Sequence, residues 1–262
     1  MRYSVIIPTL NEEKLLPGLL KSLTANNFKN KFDFEIIISD GGSCDGTIEI
    51  ACNYSDKITV HDKRTKQNIA GGRNLGANQA SGDVLIFING DVKIPDINNF
   101  FNFLNSKFTD NSYLAMTCKV KVFPEEEILS DKLFHGVYNT YFRLLNNLGV
   151  GMGRGECQVI RREVFLQAGG YNESLAAGED FDLFRKIRKL GKILFTTDIC
   201  VYESPRRFRK LGYIGVSLSW LRNGISVFVK NKSISKEWEQ VRYFEKAYGT
   251  TFSFLRCCIR SG

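Results

Sequence analysis

The stretch FEIIISDGGSCDGT, Phe34 to Thr47, sets the fold. Its first half is a wholly apolar, β-branched run that ends in Asp40, the pattern of a strand buried on both faces of a parallel sheet. Its second half is a Gly-rich turn that leads into the helical segment IEIACNY. Working outward, YSVIIP is a short strand closed by Pro8, and NEEKLLPGLLKSL carries apolar residues at helical spacing. Asn11 is placed to cap that helix, and Pro17 shortens or kinks it. KITVHD reads as a third strand, NIAGGRNLGANQAS as a helix of small residues and GDVLIFING as a fourth strand. Strand, helix, strand, helix, strand implies an α/β doubly wound sheet with right-handed crossovers.

After Asp91 the rhythm changes. INNFFNFLNSKF and EEILSDKLFHGVYNTYFRLLNNLG are helical, YLAMTCKVKVF is a longer strand, and GVGMGRGECQVIRREVFLQAGGYNES is Gly-rich before a strand and short helix. No internal repeat or low-complexity linker interrupts the chain. One domain runs to about Pro205, followed by a tail.

The chain has 262 residues and a net charge of +8. From Ser204 onward there are 12 Lys/Arg and 3 Asp/Glu, so +9, which leaves 8 − 9 = −1 for the rest. A basic tail implies an anionic partner. Within it, Leu211, Ile214, Leu218, Leu221, Ile225 and Phe228 fall on one helical stripe. The segment is too short and polar for a membrane span. It suits a membrane surface, a second subunit in a homodimer, or its own domain. The near-neutral body lacks the basic, aromatic-lined groove that nucleic acid needs. Seven scattered cysteines without a CxxC pair imply reduced thiols. The first residues read as a strand and not as a signal peptide, which implies a cytoplasmic protein, peripheral at the inner face of the membrane.

In open α/β sheets ligands bind at the carboxyl ends of the strands. Three such ends carry polar residues here: Pro8, Thr9, Asn11 and Glu12; then Asp40, Gly41 and Gly42; then Asn89, Gly90 and Asp91. No GxGxxG fingerprint or P-loop is present, which disfavours a nicotinamide-dependent oxidoreductase. A further acidic cluster stands at the start of EDFDLFRKIRKL. On a helical wheel Asp180 lies above Leu183, Phe184, Ile187 and Leu190, at the top of the inward face. Glu179 lies at the margin of that face. Asp182 points away, a solvated helix-start acid paired with Lys186 at i, i+4. The bland alternative is that all three acids only favour the helix dipole.

The ordered blocks SVIIPTLNEE, EIIISDGGSCDGT, GGRNLGANQASGDVLIFINGDV and GGYNESLAAGEDFDLFRKIRKLG resemble family-2 glycosyltransferases with a GT-A fold, over roughly residues 1–205. The resemblance implies a Rossmann-like, mostly parallel central sheet flanked by helices, with a C-terminal amphipathic tail. It implies a nucleotide-sugar-binding half at 1–92, an acceptor-binding half at 93–205, and the tail at 206–262. It implies inverting transfer from a nucleotide-diphosphate sugar, UDP or GDP, to a glycan or lipid-linked acceptor. Pro8, Thr9, Asn11, Glu12, Asp40 and Gly41 then belong to the nucleotide site, and Arg73 stands near the nucleotide. Asp91 matches the last acid of a DxD motif that holds Mg²⁺ or Mn²⁺. Asn89 departs from that motif, which leaves open whether metal dependence is weakened or Asp91 suffices. Asp180 matches the general base of the family's ED motif, with Glu179 beside it as a second candidate, placed to hydrogen-bond the sheet or the acceptor. Arg206 and Arg207, after the last strand, are placed to fold over the site and meet phosphate. The competing reading is a non-catalytic nucleotide-sugar-binding protein with a degraded metal site.

Overall fold

The computed structural model describes residues 1–62, 68–110, 112–235 and 241. Most of the tail beyond 235, with Cys257 and Cys258, therefore lies outside the described residues. An eight-stranded mixed sheet forms the centre, in the order β3-β2-β1-β4-β7-β6-β8-β5. Its first half is parallel: β1 (Tyr3–Thr9), β2 (Phe34–Asp40), β3 (Lys57–Val60) and β4 (Val84–Ile88). Every residue of β1, β2 and β4 is buried, because helices cover both faces. Alternation along β1 sends Val5 and Ile7 into one core and Ile6 into the other.

Three helices connect these strands: α1 (Leu16–Thr24), α3 (Thr47–Cys52) and α4 (Ile69–Asn78), with α2 (Phe28–Phe32) inserted after α1. Asn11 does not cap α1. That helix starts later, with Pro17 in its first turn, where a missing N–H costs nothing. Asn11 instead adopts φ 57°, and its side chain accepts a bond from Cys44 N at 2.8 Å. The small residues of α4 let it lie close on the sheet. A Cβ on Gly76 would come within 2.5 Å of Ile6 Cγ2.

The second half is mixed. The edge strand β5 (Val92–Lys93) pairs antiparallel with β8 (Ile193–Glu203), and β8 runs parallel to β6 (Ala115–Val122). Strand β7 (Cys157–Arg161) is antiparallel to both β4 and β6 and joins the halves. Helices α5 (Ile97–Phe108), α6 (Leu129–Asn147), α7 (Arg162–Gln167) and α8 (Glu179–Leu190) pack around it.

The last described helix, α9 (Arg206–Lys230), is kinked at Gly212, where φ is 70°. It is not a free appendage. Arg209 and Tyr213 both bond Asp131 of α6, and the Phe228 ring stacks on Phe181 of α8. The residues it buries are Phe208, Val216, Asn223 and Val227. The apolar stripe legible in the sequence is the opposite side and stays exposed. Among the described residues, no helix is long and apolar enough to cross a membrane.

Candidate active site

Pairing between β1 and β4 stops at Ile6 and Phe87, so the carboxyl ends of the two strands separate. Strand order reverses there, and a cleft of about 1070 Å³ opens at that point. Pro8, Thr9, Asn11, Glu12, Gly41, Arg73, Asn89, Asp91, Glu179 and Asp180 all line it.

Asp40 is a neighbour of the cleft and not part of its wall. Its buried carboxylate accepts from Thr9 Oγ1 at 2.9 Å and Ser43 Oγ at 2.6 Å. It also accepts from the backbone N–H groups of Gly42 and Ser43, at 2.9 and 2.7 Å. With four donors it ties the β1 and β2 loops together. Glu12 N reinforces the clasp by donating to Thr47 Oγ1 at 2.8 Å.

Arg73 is buried at the floor, on α4. Its guanidinium donates to Glu179 Oε1 at 3.0 Å, Asn89 Oδ1 at 3.2 Å and Gly155 O at 2.8 Å, and lies 3.6 Å from Asp180. One arginine thus connects α4, the turn after β4, the loop before β7 and the start of α8. Burial, with the Asp180 charge beside it, pushes the Glu179 carboxyl well above the usual range, and Arg73 opposes this. Asp180 differs from Glu179 in exposure. Its side chain is 23% exposed and reaches the cleft, while its Oδ1 has no hydrogen-bond partner among the described residues. A Cβ on Gly155 would lie 2.8 Å from Asp180 Oδ2 and 3.1 Å from Arg73 Nη2, so glycine there makes room for both.

Opposite stands a second charged group. Arg206, at the start of α9, donates to both oxygens of Glu12, at 3.1 and 2.5 Å, and to Asp91 Oδ2 at 3.0 Å. Burial raises the Glu12 pKa, Asp91 adds to this, and the bond from Arg206 opposes it. Arg207 also lines the cleft, and burial lowers its pKa despite Asp91 and Glu203 nearby.

The Asp91 carboxylate oxygens fit a hard divalent cation, whereas the Asn89 oxygen is held by Arg73. Among the described residues no three His, Cys, Asp or Glu side chains converge. A cation at Asp91 would therefore complete its shell from phosphate oxygens and water. Arg206 is the cation that Asp91 faces in this conformation.

The family model for glycosyl transferase family 2 matches residues 4–168. The chain belongs to glycosyl transferase family 2. It is 28% identical over 199 residues to an uncharacterized glycosyltransferase of Haemophilus influenzae, covering 70% of this chain and 61% of the relative. It is 23% identical over 270 residues to the cholesterol galactosyltransferase of Borreliella burgdorferi, covering 94% and 73%. A 94-residue stretch is 35% identical to the Staphylococcus aureus poly(ribitol-phosphate) β-N-acetylglucosaminyltransferase TarS, covering 35% of this chain and 16% of that protein. The chain thus spans well under two thirds of some of the relatives that it matches. The mannosyltransferase of Pyrobaculum calidifontis, solved with GDP-Man and Mn²⁺, superposes with a TM-score of 0.62 at 19% identity, covering 85% and 65%. Residues 1–349 of TarS, solved with UDP-GlcNAc, superpose with a TM-score of 0.58 at 20% identity, covering 78% and 58%. At these identities the superpositions establish the GT-A-like fold.

One helical-wheel expectation in this family-2 chain is corrected. Asp182 is not solvated but fully buried, with Lys186 Nζ at 2.6 Å and Arg185 Nη2 at 3.9 Å. The wheel gives a direction around the axis and does not show which side chains lie over it. The i, i+4 pair itself forms as expected. Three contributors had no distinct signal. Buried Arg154 and half-buried Glu156 and Glu203 form an ion cluster on the cleft wall, with Arg154 Nε 3.2 Å from Glu156 and Nη2 3.4 Å from Glu203. Burial raises the Glu203 pKa well, whereas Arg154 overcomes burial to lower that of Glu156. Glu156 lay in view in the run GRGECQ, but nothing in a linear run reveals that β7 and β8 bring it to Glu203.

Proposed function

We propose that this chain transfers a sugar from a nucleoside-diphosphate sugar to an acceptor hydroxyl, with inversion at the anomeric carbon. The observation that carries the reading is one cleft at the strand-order reversal with Asp180 and Asp91 both on its wall. The families of the solved complexes support the donor class: TarS was crystallised with UDP-GlcNAc and the Pyrobaculum enzyme with GDP-Man. UDP and GDP sugars are accordingly the first donors to test.

Pro8, Thr9, Asn11, Glu12 and Gly41 receive the nucleoside, with Asp40 holding their loops in place. Asp180 accepts the proton of the acceptor hydroxyl as that oxygen attacks the anomeric carbon. Glu179, its proton favoured by burial, adds no second negative charge beside the base. Arg73 holds the pair in orientation. Negative charge growing on the departing diphosphate meets Arg206 and Arg207. Asp91 would hold Mg²⁺ or Mn²⁺, whose chemistry there is to neutralise that same diphosphate charge. The name of the Borreliella relative, a cholesterol galactosyltransferase, supports a lipid acceptor over a soluble glycan.

Binding without transfer is the second reading, favoured by Asn89 and by the Arg206–Asp91 pair. One experiment separates them. Calorimetry with UDP-, GDP-, CMP- and dTDP-sugars, each with Mn²⁺, Mg²⁺ or EDTA, is expected to give metal-enhanced binding of one donor, lost in Asp91→Ala. Asp180→Asn should keep that binding and lose transfer by about 10²–10⁴-fold. A product with the donor's anomeric configuration, read by NMR, would reject inversion. No donor binding under any condition would reject the reading as a whole.

A further inference from the structure

The apolar side chains that this fold leaves uncovered form two rows. On α6, Leu129, Leu133 and Val137 are 64–72% exposed, as is Leu148 just after it. On α9, Ile214, Leu218, Leu221 and Ile225 are 53–77% exposed. The rows meet, since Leu133 and Val137 share a shallow groove of about 420 Å³ with Ile214 and Leu218. Val137, Leu218 and Ile225 also line the cleft that contains Asp180. The apolar face and the acceptor side of the cleft are therefore one continuous surface. The two helices are fixed to each other at one end by Asp131, which takes bonds from Arg209 at 2.9 Å and Tyr213 at 2.7 Å. Above that clamp Phe134 and Tyr138 pack on Trp220. Contiguous exposed apolar rows of this extent mark an interaction site.

Charge selects the occupant. Residues 206–235 contain no Asp/Glu and seven Lys/Arg, of which Arg206 and Arg209 pair with acids of the body and Arg207 lines the cleft. Arg222, Lys230 and Lys232 are exposed on α9 and just after it. Acidic residues occur before α6, where Glu125 pairs with Lys93 and Glu127 with Lys132. A second copy docked face to face would bring this positive charge against itself. An anionic lipid surface complements it, and the exposed leucines and isoleucines suit the headgroup–acyl boundary.

We propose that the α6–α9 face seats on an anionic lipid bilayer and that the cleft opens towards that bilayer, so that the acceptor is an amphiphile drawn from it. The acceptor part rests on the glycosyl-transfer reading, whereas the docking part does not. Flotation of the full chain with phosphatidylcholine vesicles containing 30% phosphatidylglycerol, against phosphatidylcholine alone, tests the docking. Binding is expected to be about tenfold tighter to the anionic vesicles and to weaken as salt rises. Leu133→Glu and Ile214→Glu lie on the face but outside the cleft. Each should weaken vesicle binding about tenfold while leaving donor binding and the circular-dichroism melt unchanged. Absence of vesicle binding, or binding that survives both variants, would overturn the proposal. A dimer in light scattering that Ile214→Glu dissociates would do so too, by making the occupant a second copy. Vesicle binding without binding of any nucleotide sugar would leave docking intact and reject transfer; donor binding without vesicle binding would do the reverse.

Discussion

Arg206 and Asp91 are bonded across the mouth of the cleft, Nη2 to Oδ2 at 3.0 Å, although 115 positions separate them. The same guanidinium grips Glu12, so the side chain that opens α9 sits between two acids of the cleft wall. Arg206 and a divalent ion therefore compete for Asp91. Arg206→Gln is expected to tighten Mn²⁺ binding in the absence of donor by about tenfold, roughly 1.4 kcal/mol for a half-screened unit charge. Calorimetric titration of Mn²⁺ into the two proteins checks this. Unchanged or weaker Mn²⁺ binding in the variant would show that the arginine does not occupy the cation position.

Gly155 leaves no space for a side chain between Asp180 and Arg73. Gly155→Ala should move Asp180, the proposed base, while the loops proposed to receive the donor, built from other elements, stay in place. A fall in kcat of about tenfold or more is expected, since small displacements of a reacting group are costly. Donor affinity should change less than twofold. Equal losses in both would mean that the cleft as a whole is disturbed.

Arg73 is buried against Glu179 and Asp180, and its removal leaves both acids without their shared cation at the floor of the cleft. Arg73→Met should destabilise the chain by about 3–5 kcal/mol in urea unfolding. Arg73→Lys keeps the charge but loses the fork that spans Glu179, Asn89 and Gly155, so it should fall between wild type and Met. A Met variant within 1 kcal/mol of wild type would contradict the account.

His135 is buried on α6, and burial together with the nearby Arg154 charge lowers its pKa to about 4 from 6.5. In the unfolded chain it protonates first as pH falls, so the unfolded state binds the extra proton between these values. Its contribution to stability is complete above about pH 6.5 and is lost as pH falls towards 4, by up to about 3 kcal/mol. Thermal melts of wild type and His135→Gln across this window should converge as the pH drops. A constant difference would indicate that His135 titrates alike in the folded and unfolded states.

The parallel half of the sheet was legible because its strands are buried on both faces and read as unbroken apolar runs, as in EIIIS and VLIFI. The polar residues at their ends were legible because they directly follow those apolar runs, and the strand order brings Thr9, Asn89 and Asp91 to one cleft. Asn11 shows the limit. Its residue type favours a cap and a left-handed turn equally, and the bond from Cys44 selects the turn. Asp182 shows another, since periodicity gives the face of a helix but not its cover.

By itself the sequence determined the alternation of strands and helices, the three polar strand ends, the acidic start of α8 and the amphipathic, basic character of α9. These depend on local periodicity and residue chemistry. Only the tertiary structure decided that Asp40 holds loops together, that Arg73 serves Glu179 and Asp180, that Arg206 meets Asp91, and that α9 turns its apolar stripe outward. Each of these depends on which elements pack together and on how much water their burial removes. Long-range packing sets both quantities, and no local pattern encodes them.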